Sequence, residues 1–552
     1  MKRIRLFAAL LLVAFTAPGW AREPLLLQEA AIASAHPLAT RAGMEMLERG
    51  GNAFDAAVAV SAALAVVEPF ASGLGGGGFW LLHRAGDGFE TMIDGRETAP
   101  AAASRDMYLD PKGAAVPGAS LNGPRAAGIP GMPAGMVRLA GYGRLPLQIT
   151  LEPAIRLAAN GFVADRRFLE RAGEYRDRLA ADAAAADVFL QNGKPPGEGF
   201  VLRQPELATT LRHLAARGRS GFYRGPVARE LVRAVRAGGG LWTLKDLAHY
   251  RAVEREPVRF FYRGIKVTSA ALPSSGGLTL AQALQILEQF DAIEPSVPDS
   301  AHLVIEAMRL AYQDRARYLG DPDFVWVPAA RLGSKRYAAG RAAAIDAGRA
   351  GTSSALTPPR TAGGSTTHFS VVDREGNRVA ATLSINTVFG SGFVAGRTGV
   401  LLNNEMDDFA IAPGVPNAYG LLGSEANAIA PGKRPLSSMS PTFVEDARGV
   451  LVTGTPGGSR IISMVLLAIV EFSRGERDPG RIVSAPRFHH QFLPDVVEVE
   501  PGAFDAAWTS RLAEMGHSLK VAKGPWGNMQ AVYVDKATGI AVAGNDPRGA
   551  WY

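Results

Sequence analysis

The sequence predicts a mixed, layered α/β fold, and three observations support that prediction. Segments with helical periodicity are interleaved with short segments in which apolar and polar residues alternate, as in half-buried strands. Turn residues such as Gly86-Asp87-Gly88 separate neighbouring strand-like segments, as in hairpins. Apolar residues make up 47% and charged residues 20% of the 552 residues, which is typical of globular proteins. Helices packed in layers against sheets are therefore expected.

The N-terminal half begins with short elements and continues as a mainly helical region. Its predicted elements are a strand at Ala31–Ala35, helices at His36–Arg49 and Asn52–Val67, strands at Phe79–His83 and Glu90–Asp94, a mostly helical stretch over 100–340, and strands near Val258–Val267. The helix at Asn52–Val67 is rich in alanine and valine on all sides, so we expect it to be buried.

The composition changes between Arg341 and Ser365. Gly, Ala, Ser, Thr and two adjacent prolines dominate residues 348–365, which predicts a mobile linker. Strand-like alternation begins abruptly at Thr366. The predicted elements after this point are strands at Thr366–Val372, Arg378–Ser384, Val450–Thr453, Val496–Glu500, Met529–Val534 and Ile540–Ala543, and a helix from Ser459 to Ser473.

Residues 1–21 have the pattern of a secretory signal peptide. Lys2, Arg3 and Arg5 precede an apolar run, and Gly19-Trp20-Ala21 supplies small residues at the cleavage spacing. The run is short for a membrane span, although an uncleaved N-terminal anchor remains the alternative. We therefore expect a periplasmic or secreted protein with no stable membrane anchor after removal of the signal.

Several functional classes are disfavoured by the sequence. The formal net charge is +7, but no basic block and no nucleic-acid-binding motif accompanies it, so no nucleic-acid partner is expected. The chain has no cysteine, which excludes disulfides, thiolate catalysis and cysteine-ligated metals. His489 and His490 cannot both face one site from a strand, so we expect a structural role for them and no metal.

A glycine run at Gly73–Gly78 satisfies the G-x-G-x-x-G pattern of nucleotide-binding loops. That fingerprint needs a strand before it and a helix after it, whereas here the predicted helix precedes and the strand follows. We therefore reject a nucleotide site, and no cofactor is expected. The glycines instead predict a close approach of two backbones.

The junction between linker and strand, at Ser365-Thr366, can support acyl chemistry. A hydroxyl at this position could attack the preceding carbonyl, and the resulting ester could be cleaved by water. The freed α-amine of Thr366, whose ordinary pKa is about 7.7–8.0, could then act as general base for the hydroxyl of the same residue. Two threonines at the start of a strand are, however, also common for purely structural reasons.

Six multi-residue blocks resemble the γ-glutamyltranspeptidase family, in the family's order and over nearly the whole mature chain. They are Gly50–Phe79, Thr366–Asp373, Leu401–Phe409, Arg434–Thr442, Pro456–Arg460 and Ala485–His490. The resemblance implies the αββα sandwich of N-terminal-nucleophile hydrolases. It also implies self-cleavage into a large subunit, residues 22–365, and a small catalytic subunit, residues 366–552, which form a heterodimer.

The resemblance implies binding roles for residues that would hold an amino-acid head group. Arg96 matches the arginine that binds the substrate α-carboxylate, for which a guanidinium fork is suited. Ser437 and Ser438 match the pair that completes this carboxylate site. Asp408, helped by Glu405 and Asn386, matches the carboxylate that holds the α-ammonium.

The resemblance also implies catalytic roles. Gly457 and Gly458 match the oxyanion hole, where backbone N–H groups at a helix N-terminus would face developing negative charge. The family usually has a second threonine eighteen residues after the nucleophile, whereas this sequence has Ser384 there. Serine keeps the hydroxyl but loses the methyl group that stiffens χ1. The loop around Tyr419 resembles a lid.

The expected reaction is transfer of a γ-glutamyl group from glutathione or related γ-glutamyl compounds to water or acceptor amino acids. Three alternatives remain open. The first is a glutaryl acylase of the cephalosporin type, which a retained Asp408 disfavours, because a buried carboxylate with no cation to meet is costly. The second is a relative acting on polymeric γ-glutamate. The third is an uncleaved, non-catalytic glutamate-binding protein, which Ser384 slightly favours.

Overall fold

The computed structural model describes residues 26–354, 365–412 and 414–549. The predicted signal peptide and residues 355–364 of the predicted linker lie outside the described residues. The predicted cleavage point, Ser365-Thr366, lies within them.

The described residues form strands and helices in the predicted mixed order. The strands are β1 (Ala31–Ser34), β2 (Gly77–Arg84), β3 (Phe89–Asp94), β4 (Phe162–Val163), β5 (Val201–Leu202), β6 (Val253–Arg255), β7 (Val258–Tyr262), β8 (Ile265–Ser269), β9 (Thr367–Val372), β10 (Arg378–Ser384), β11 (Thr442–Glu445), β12 (Gly449–Gly454), β13 (Phe488–His489), β14 (Val497–Val499), β15 (Leu519–Val521), β16 (Gln530–Asp535) and β17 (Ala541–Asn545). The α-helices are α1 (Pro37–Glu48), α2 (Ala53–Val67), α3 (Met132–Ala140), α4 (Leu147–Asn160), α5 (Arg166–Glu174), α6 (Arg176–Ala180), α7 (Ala183–Phe189), α8 (Pro205–Arg217), α9 (Arg219–Tyr223), α10 (Gly225–Ala237), α11 (Leu244–His249), α12 (Gly276–Leu287), α13 (Pro298–Tyr318), α14 (Ala329–Leu332), α15 (Lys335–Ala342), α16 (Arg460–Ser473), α17 (Pro479–Ser484) and α18 (Ala506–Glu514).

Two six-stranded antiparallel sheets pack face to face at the centre of the molecule. The first has the order β1-β9-β10-β2-β3-β6, and the second has the order β17-β16-β12-β11-β8-β7. Strands β9 and β10 of the first sheet contact β12 of the second, and β9 also contacts β16. The alternation along β2 explains this layering, because Phe79 and Leu81 join the core between the sheets while Trp80 and Leu82 join the core on the other face.

Helices cover the outer faces of both sheets. Helix α2, buried along its whole length as predicted, lies on β9 and β10, while α12 and α16 lie on the second sheet. The arrangement is therefore helix, sheet, sheet, helix, and the predicted αββα sandwich is confirmed. No helix of the described residues is long and apolar enough to cross a membrane.

The glycine run brings backbones together, as the sequence predicts. A Cβ atom at Gly76 would overlap the carbonyl oxygen of Ser384, and one at Gly75 would overlap that of Leu401. The glycines therefore allow the chain before β2 to lie directly against the end of β10. This close approach positions the end of β10, where the candidate site begins.

The described part of the predicted linker is anchored to the rest of the protein. Arg341 lies in α15 rather than in a linker. Further along, the backbone N–H of Ala350 donates to the carbonyl of Met515, and the N–H of Ser353 donates to Asp495 at 2.8 Å. The described residues of this segment therefore make specific contacts with the rest of the protein despite their low apolar content.

Candidate active site

Thr366 and Ser384 lie at the same end of two paired central strands. Strands β9 and β10 are antiparallel, and their register pairs Thr367 with Leu383. Thr366, directly before β9, and Ser384, the last residue of β10, continue this register. Their side chains therefore come together although they are eighteen positions apart. Their hydroxyl oxygens are 3.3 Å apart, and both residues are buried.

The peptide group between Ser365 and Thr366 is held from both sides. The Ser365 hydroxyl donates to the carbonyl of Phe70 at 2.5 Å. The Ser384 hydroxyl donates to the carbonyl of Ser365 at 3.5 Å, while it accepts from the N–H of Asn386 at 2.8 Å. Ser384 is thus oriented by a backbone donor, which leaves its single proton for Thr366 or for the Ser365 carbonyl.

A small cavity, here called the inner cavity, lies beside Thr366 and contains most of the predicted site residues. Its volume is about 20 Å³, room for about one water molecule. Its lining residues are Arg96, Arg315, Thr366, Ser384, Asn386, Glu405, Asp408, Tyr419, Leu421, Ser437, Ser438, Met439, Gly458 and Ile461. Every predicted substrate-binding residue is present, so residues far apart in the sequence meet here.

Arg96 is bound to two carboxylates inside this cavity. Its Nη1 donates to Glu405 and its Nη2 donates to Asp408, each at 2.5 Å, and Nε donates to the carbonyl of Pro435 at 3.1 Å. Sequence reasoning placed Arg96 on the substrate carboxylate and the two acids on the substrate ammonium, and it did not foresee this mutual pairing. In this conformation the three charges neutralise one another in part.

Burial shifts the titration of the acids around Arg96. Burial raises the pKa of Glu405 to about 7, and Arg96 opposes this shift. Burial and the charge of Glu405 raise the pKa of Glu97 well above its usual value. Both carboxyl oxygens of Glu97 are buried and have no hydrogen-bond partner among the described residues. Nη1 of Arg96 lies 3.7 Å from Glu97 and opposes this rise in its pKa.

Backbone contacts hold the remaining predicted binding residues. Asn386 has a left-handed φ of 75°, and its side-chain amide donates to the carbonyl of Asn404 at 2.9 Å. The hydroxyl of Ser437 accepts from the N–H of Met439 at 3.1 Å. Ser438 differs, because its hydroxyl accepts from a side chain, Nη2 of Arg315, at 3.2 Å.

Gly457 and Gly458 form a sharp bend just before α16. Their φ values are 143° and 59°, which side chains other than glycine rarely adopt. Within the described residues, neither backbone N–H donates to an acceptor. Two free N–H groups at a helix N-terminus beside a hydroxyl are suited to stabilising an oxyanion.

Tyr419 closes the inner cavity. Its ring packs against Gly458, where a Cβ atom would overlap the ring carbons. Its hydroxyl donates to the carbonyl of Asn386 at 2.6 Å, and the residue is buried. The predicted lid residue therefore contacts both the glycine bend and a residue lining the inner cavity.

A second and larger cavity, here called the outer groove, opens on the other side of Thr366. Its volume is about 660 Å³, and Thr366 and Gly457 line it together with Trp526. Thr366 therefore lines both cavities, with one glycine of the bend on each side. A substrate bound to Thr366 can extend in two directions.

Sequence reasoning missed two polar residues at the inner cavity: Arg315, which lines it, and Asn417, which contacts its lining residue Asp408. Arg315 lies in α13 on the same face as Met308 and Ala311, so a charged residue on an apolar stripe was the available signal. Asn417 donates from its side-chain amide to Asp408 at 2.8 Å. No sequence pattern singles out Asn417, because its role depends on how the loop folds back.

The adjacent histidines point to different partners, as expected. His489 contacts the hydroxyl of Ser463 at 2.6 Å, whereas His490 contacts Asp495 at 3.1 Å. Within the part of the chain that the structure describes, one cluster could supply three metal ligands: His302, Glu306 and His517. None of these three residues lines the inner cavity.

Comparison with known proteins identifies the family of this chain. The family model described as gamma-glutamyltranspeptidase matches residues 39–551. A glutathione hydrolase proenzyme of Escherichia coli (strain K12) is 44% identical over 534 residues, covering 95% of this chain and 91% of the relative.

Two solved structures are similar to this chain. One is a cephalosporin acylase from Bacillus halodurans, with a TM-score of 0.83, 29% identity and 98% of each chain covered. The other is the Helicobacter pylori gamma-glutamyltranspeptidase, with a TM-score of 0.58 and 40% identity over 60% of this chain and 95% of that chain. On the extent of the family match and of the sequence identity, this chain belongs to the gamma-glutamyltranspeptidase family.

Proposed function

We propose that the protein is an autoprocessing γ-glutamyltransferase and glutathione hydrolase. It transfers the γ-glutamyl group of glutathione or related γ-glutamyl amides to the hydroxyl of Thr366, and then to water, an amino acid or a peptide. The observation that carries this proposal is that Thr366 lines both cavities. An amide attacked by Thr366 would place its acyl group among the residues that line the inner cavity, which must widen from its volume of about 20 Å³ to admit that group, and its leaving amine in the outer groove.

The first step is scission of the chain's own backbone. The hydroxyl of Thr366 attacks the carbonyl carbon of Ser365, the C–N bond breaks, and the acyl group moves from nitrogen to oxygen. Water then hydrolyses the ester, which leaves a large subunit ending at Ser365 and a small subunit beginning at Thr366. Ser384 supports this step, because its hydroxyl donates to the carbonyl under attack.

The same threonine then acts on substrate. Its free α-amine accepts the proton of its hydroxyl, and the oxygen attacks the γ-carbonyl of the bound substrate. The amide C–N bond then breaks, and the α-ammonium of Thr366 gives the proton to the departing amine, which leaves the γ-glutamyl group as an ester on Thr366. The N–H groups of Gly457 and Gly458 stabilise the oxyanion. Both are available for this role, because neither donates to an acceptor within the described residues. An acceptor amine or water entering from the outer groove completes the transfer.

The acids of the inner cavity favour a glutamyl over a glutaryl substrate. Glu405 and Asp408 both line the inner cavity, and an α-ammonium can replace Arg96 as the partner of either acid. A glutaryl group has no ammonium and would leave both acids on Arg96. Glutaryl acylase activity is the second candidate, supported by the similarity to the Bacillus halodurans acylase.

We also propose that residues 1–21 direct export and are removed, which gives a periplasmic or secreted heterodimer. One experiment tests both cleavages: N-terminal sequencing of the purified protein, with release of a chromophore from a γ-glutamyl anilide as companion. Two fragments are expected, one beginning near Arg22 and one beginning Thr366-Thr367-His368. A single chain that still hydrolyses the anilide would contradict the proposed nucleophile, and a single inactive chain would favour the non-catalytic binding protein.

A further inference from the structure

Six arginines of the described residues are buried, and five of them are paired with a carboxylate. Arg315 is the exception. The five pairs are Arg96 with Glu405 and Asp408, Arg309 with Glu306, Arg378 with Glu445, Arg434 with Asp94, and Arg487 with Asp546. Because an unpaired buried charge is costly, this exception needs a physical explanation.

The contacts of Arg315 satisfy only part of its guanidinium. Nε donates to the hydroxyl of Ser275 at 2.9 Å and Nη2 donates to the hydroxyl of Ser438 at 3.2 Å. Nη1 has no acceptor among the described residues. Burial lowers the pKa of Arg315, as expected for a cation removed from water without a counterion. Arg315 is 5% exposed and lines the inner cavity, so its charge faces the place where a substrate would lie.

Arg96, the other arginine of the inner cavity, already has anion partners. Both of its terminal nitrogens already bind acids, Glu405 and Asp408, and the charge of Arg96 acts on Arg315 as a like charge. Asp408 attracts Arg315 but makes no ion pair with it, and the two carboxylate oxygens of Asp408 are bound by Arg96 and Asn417. The cation of this cavity that lacks a partner is therefore Arg315.

We propose that Arg315 binds the α-carboxylate of the γ-glutamyl substrate, together with the hydroxyl of Ser438, and so selects substrates that carry this carboxylate. The proposal rests on the proposed function of the same cavity. Arg315 gives the inner cavity a second guanidinium beside that of Arg96, and the acids Glu405 and Asp408 line the same cavity. Two cations and two acids suit a zwitterionic head group, whose ammonium and carboxylate each find an opposite charge.

The first test compares two anilides that differ only in the carboxylate: γ-glutamyl anilide and 4-aminobutyryl anilide. In the processed enzyme, Arg315→Gln should lower kcat/KM for γ-glutamyl anilide by about 10-fold to 100-fold, mainly through KM, because a charge-assisted hydrogen bond is lost. The rate on 4-aminobutyryl anilide should change less than threefold, roughly the scatter expected when no charged contact is lost. Arg315→Lys should recover part of the loss. An equal loss on both anilides, or no loss on either, would overturn the proposal.

The second test separates binding from a structural role. Removing an unpaired buried charge should leave the Tm of Arg315→Gln unchanged or higher, whereas Arg487→Gln, which leaves Asp546 unpaired, should lower it. A fall in Tm as large as that of Arg487→Gln would mean that Arg315 is structural. L-glutamate should raise the Tm of the unsubstituted protein more than 4-aminobutyrate does, and this difference should vanish in Arg315→Gln. Persistence of the difference would overturn the proposal.

The two proposals can fail separately. Absence of γ-glutamyl turnover in the unsubstituted protein would contradict the proposed function. The thermal shift with L-glutamate measures carboxylate binding without turnover, so it still decides the role of Arg315.

Discussion

The hydroxyl oxygen of Ser384 lies 3.5 Å from the carbonyl oxygen of Ser365, the carbonyl of the bond proposed to break. The same hydroxyl lies 3.3 Å from that of Thr366. One side chain at the end of β10 therefore contacts both the proposed nucleophile and the group that it is proposed to attack. Ser384, where the family usually has a threonine, makes both contacts through its hydroxyl.

Replacing Ser384 tests this relationship. Ser384→Ala removes both contacts, and each hydrogen bond is worth about 0.5–1.5 kcal/mol, so self-cleavage and turnover should each slow by up to about tenfold. Ser384→Thr keeps the hydroxyl and adds the methyl group that restricts χ1, so it should cleave and turn over at least as fast as the unsubstituted protein. The measurements are the time course of the two fragments on a gel and the rate of anilide hydrolysis. Full speed in Ser384→Ala would remove the assigned role.

Two neighbouring threonines distinguish the nucleophile from a structural hydroxyl. Thr366→Ala should remain a single chain without activity, because no hydroxyl is left at the junction. Thr367→Val is the matched control, since the Thr367 hydroxyl is committed to Glu68 at 2.6 Å and should not be needed for cleavage. Mass spectrometry of the purified chains reads out both variants. Processing of Thr366→Ala at the same bond would refute the assignment.

Much of this site could be predicted from the sequence. The abrupt start of alternation after the linker located β9, and the family resemblance located most of the polar residues that line the inner cavity. The pairing of Arg96 with Glu405 could not be predicted, because it depends on how two segments 309 residues apart meet. The position of Arg315 was missed for the same reason, since a helix pattern does not show which partner a buried charge lacks.

The sequence predicted the fold class and the longer strands of the first sheet better than it predicted short strands. Hydrophobic alternation predicted β2, β3, β9 and β10, which lie side by side in the first sheet. Strand β11 of the second sheet was not predicted, because it has only four residues and directly follows Pro441. Its pairing with β8 and β12 makes it a strand, so tertiary context decides its conformation.

Asp408 should determine the preference for an α-ammonium. Asp408→Asn keeps the shape but removes the charge, so the ratio of kcat/KM for γ-glutamyl over glutaryl anilide should fall by about tenfold or more. Asp407→Asn is the neighbouring control. Asp407 contacts Ser120 at 2.6 Å and the N–H of Ala418 at 2.7 Å and does not line the inner cavity, so the ratio should hold even if activity falls. An unchanged ratio in Asp408→Asn would contradict its role.

The raised pKa of Glu405 predicts a pH dependence of stability. Its ordinary pKa is 4.5, and burial raises the pKa to about 7 in the folded chain. Between these values the folded state keeps a proton that the unfolded state has lost. The contribution of Glu405 to the free energy of unfolding is therefore fully present below pH 4.5 and is lost as the pH rises through about 7.

Urea unfolding at several pH values measures this effect. The uncleaved Thr366→Ala chain is the suitable background, because it keeps the protein as one chain. Adding Glu405→Gln should make the free energy of unfolding less dependent on pH across this window, since glutamine does not titrate. If both chains lose stability equally as the pH rises, Glu405 does not titrate there.

Tyr419→Phe tests whether the lid acts through its hydroxyl. Phenylalanine keeps the ring against Gly458 but loses the hydrogen bond to Asn386, worth about 1 kcal/mol, so kcat/KM for γ-glutamyl anilide should fall by about fivefold. Protease cleavage within residues 414–424 should become faster. Tyr108→Phe provides the matched control, because Tyr108 is also buried and also donates to a backbone carbonyl, that of Arg125 at 2.8 Å, but does not line the inner cavity. Equal kinetic losses in the two variants would show that the Tyr419 hydroxyl contributes only stability, because the chemical change is the same and only the position differs.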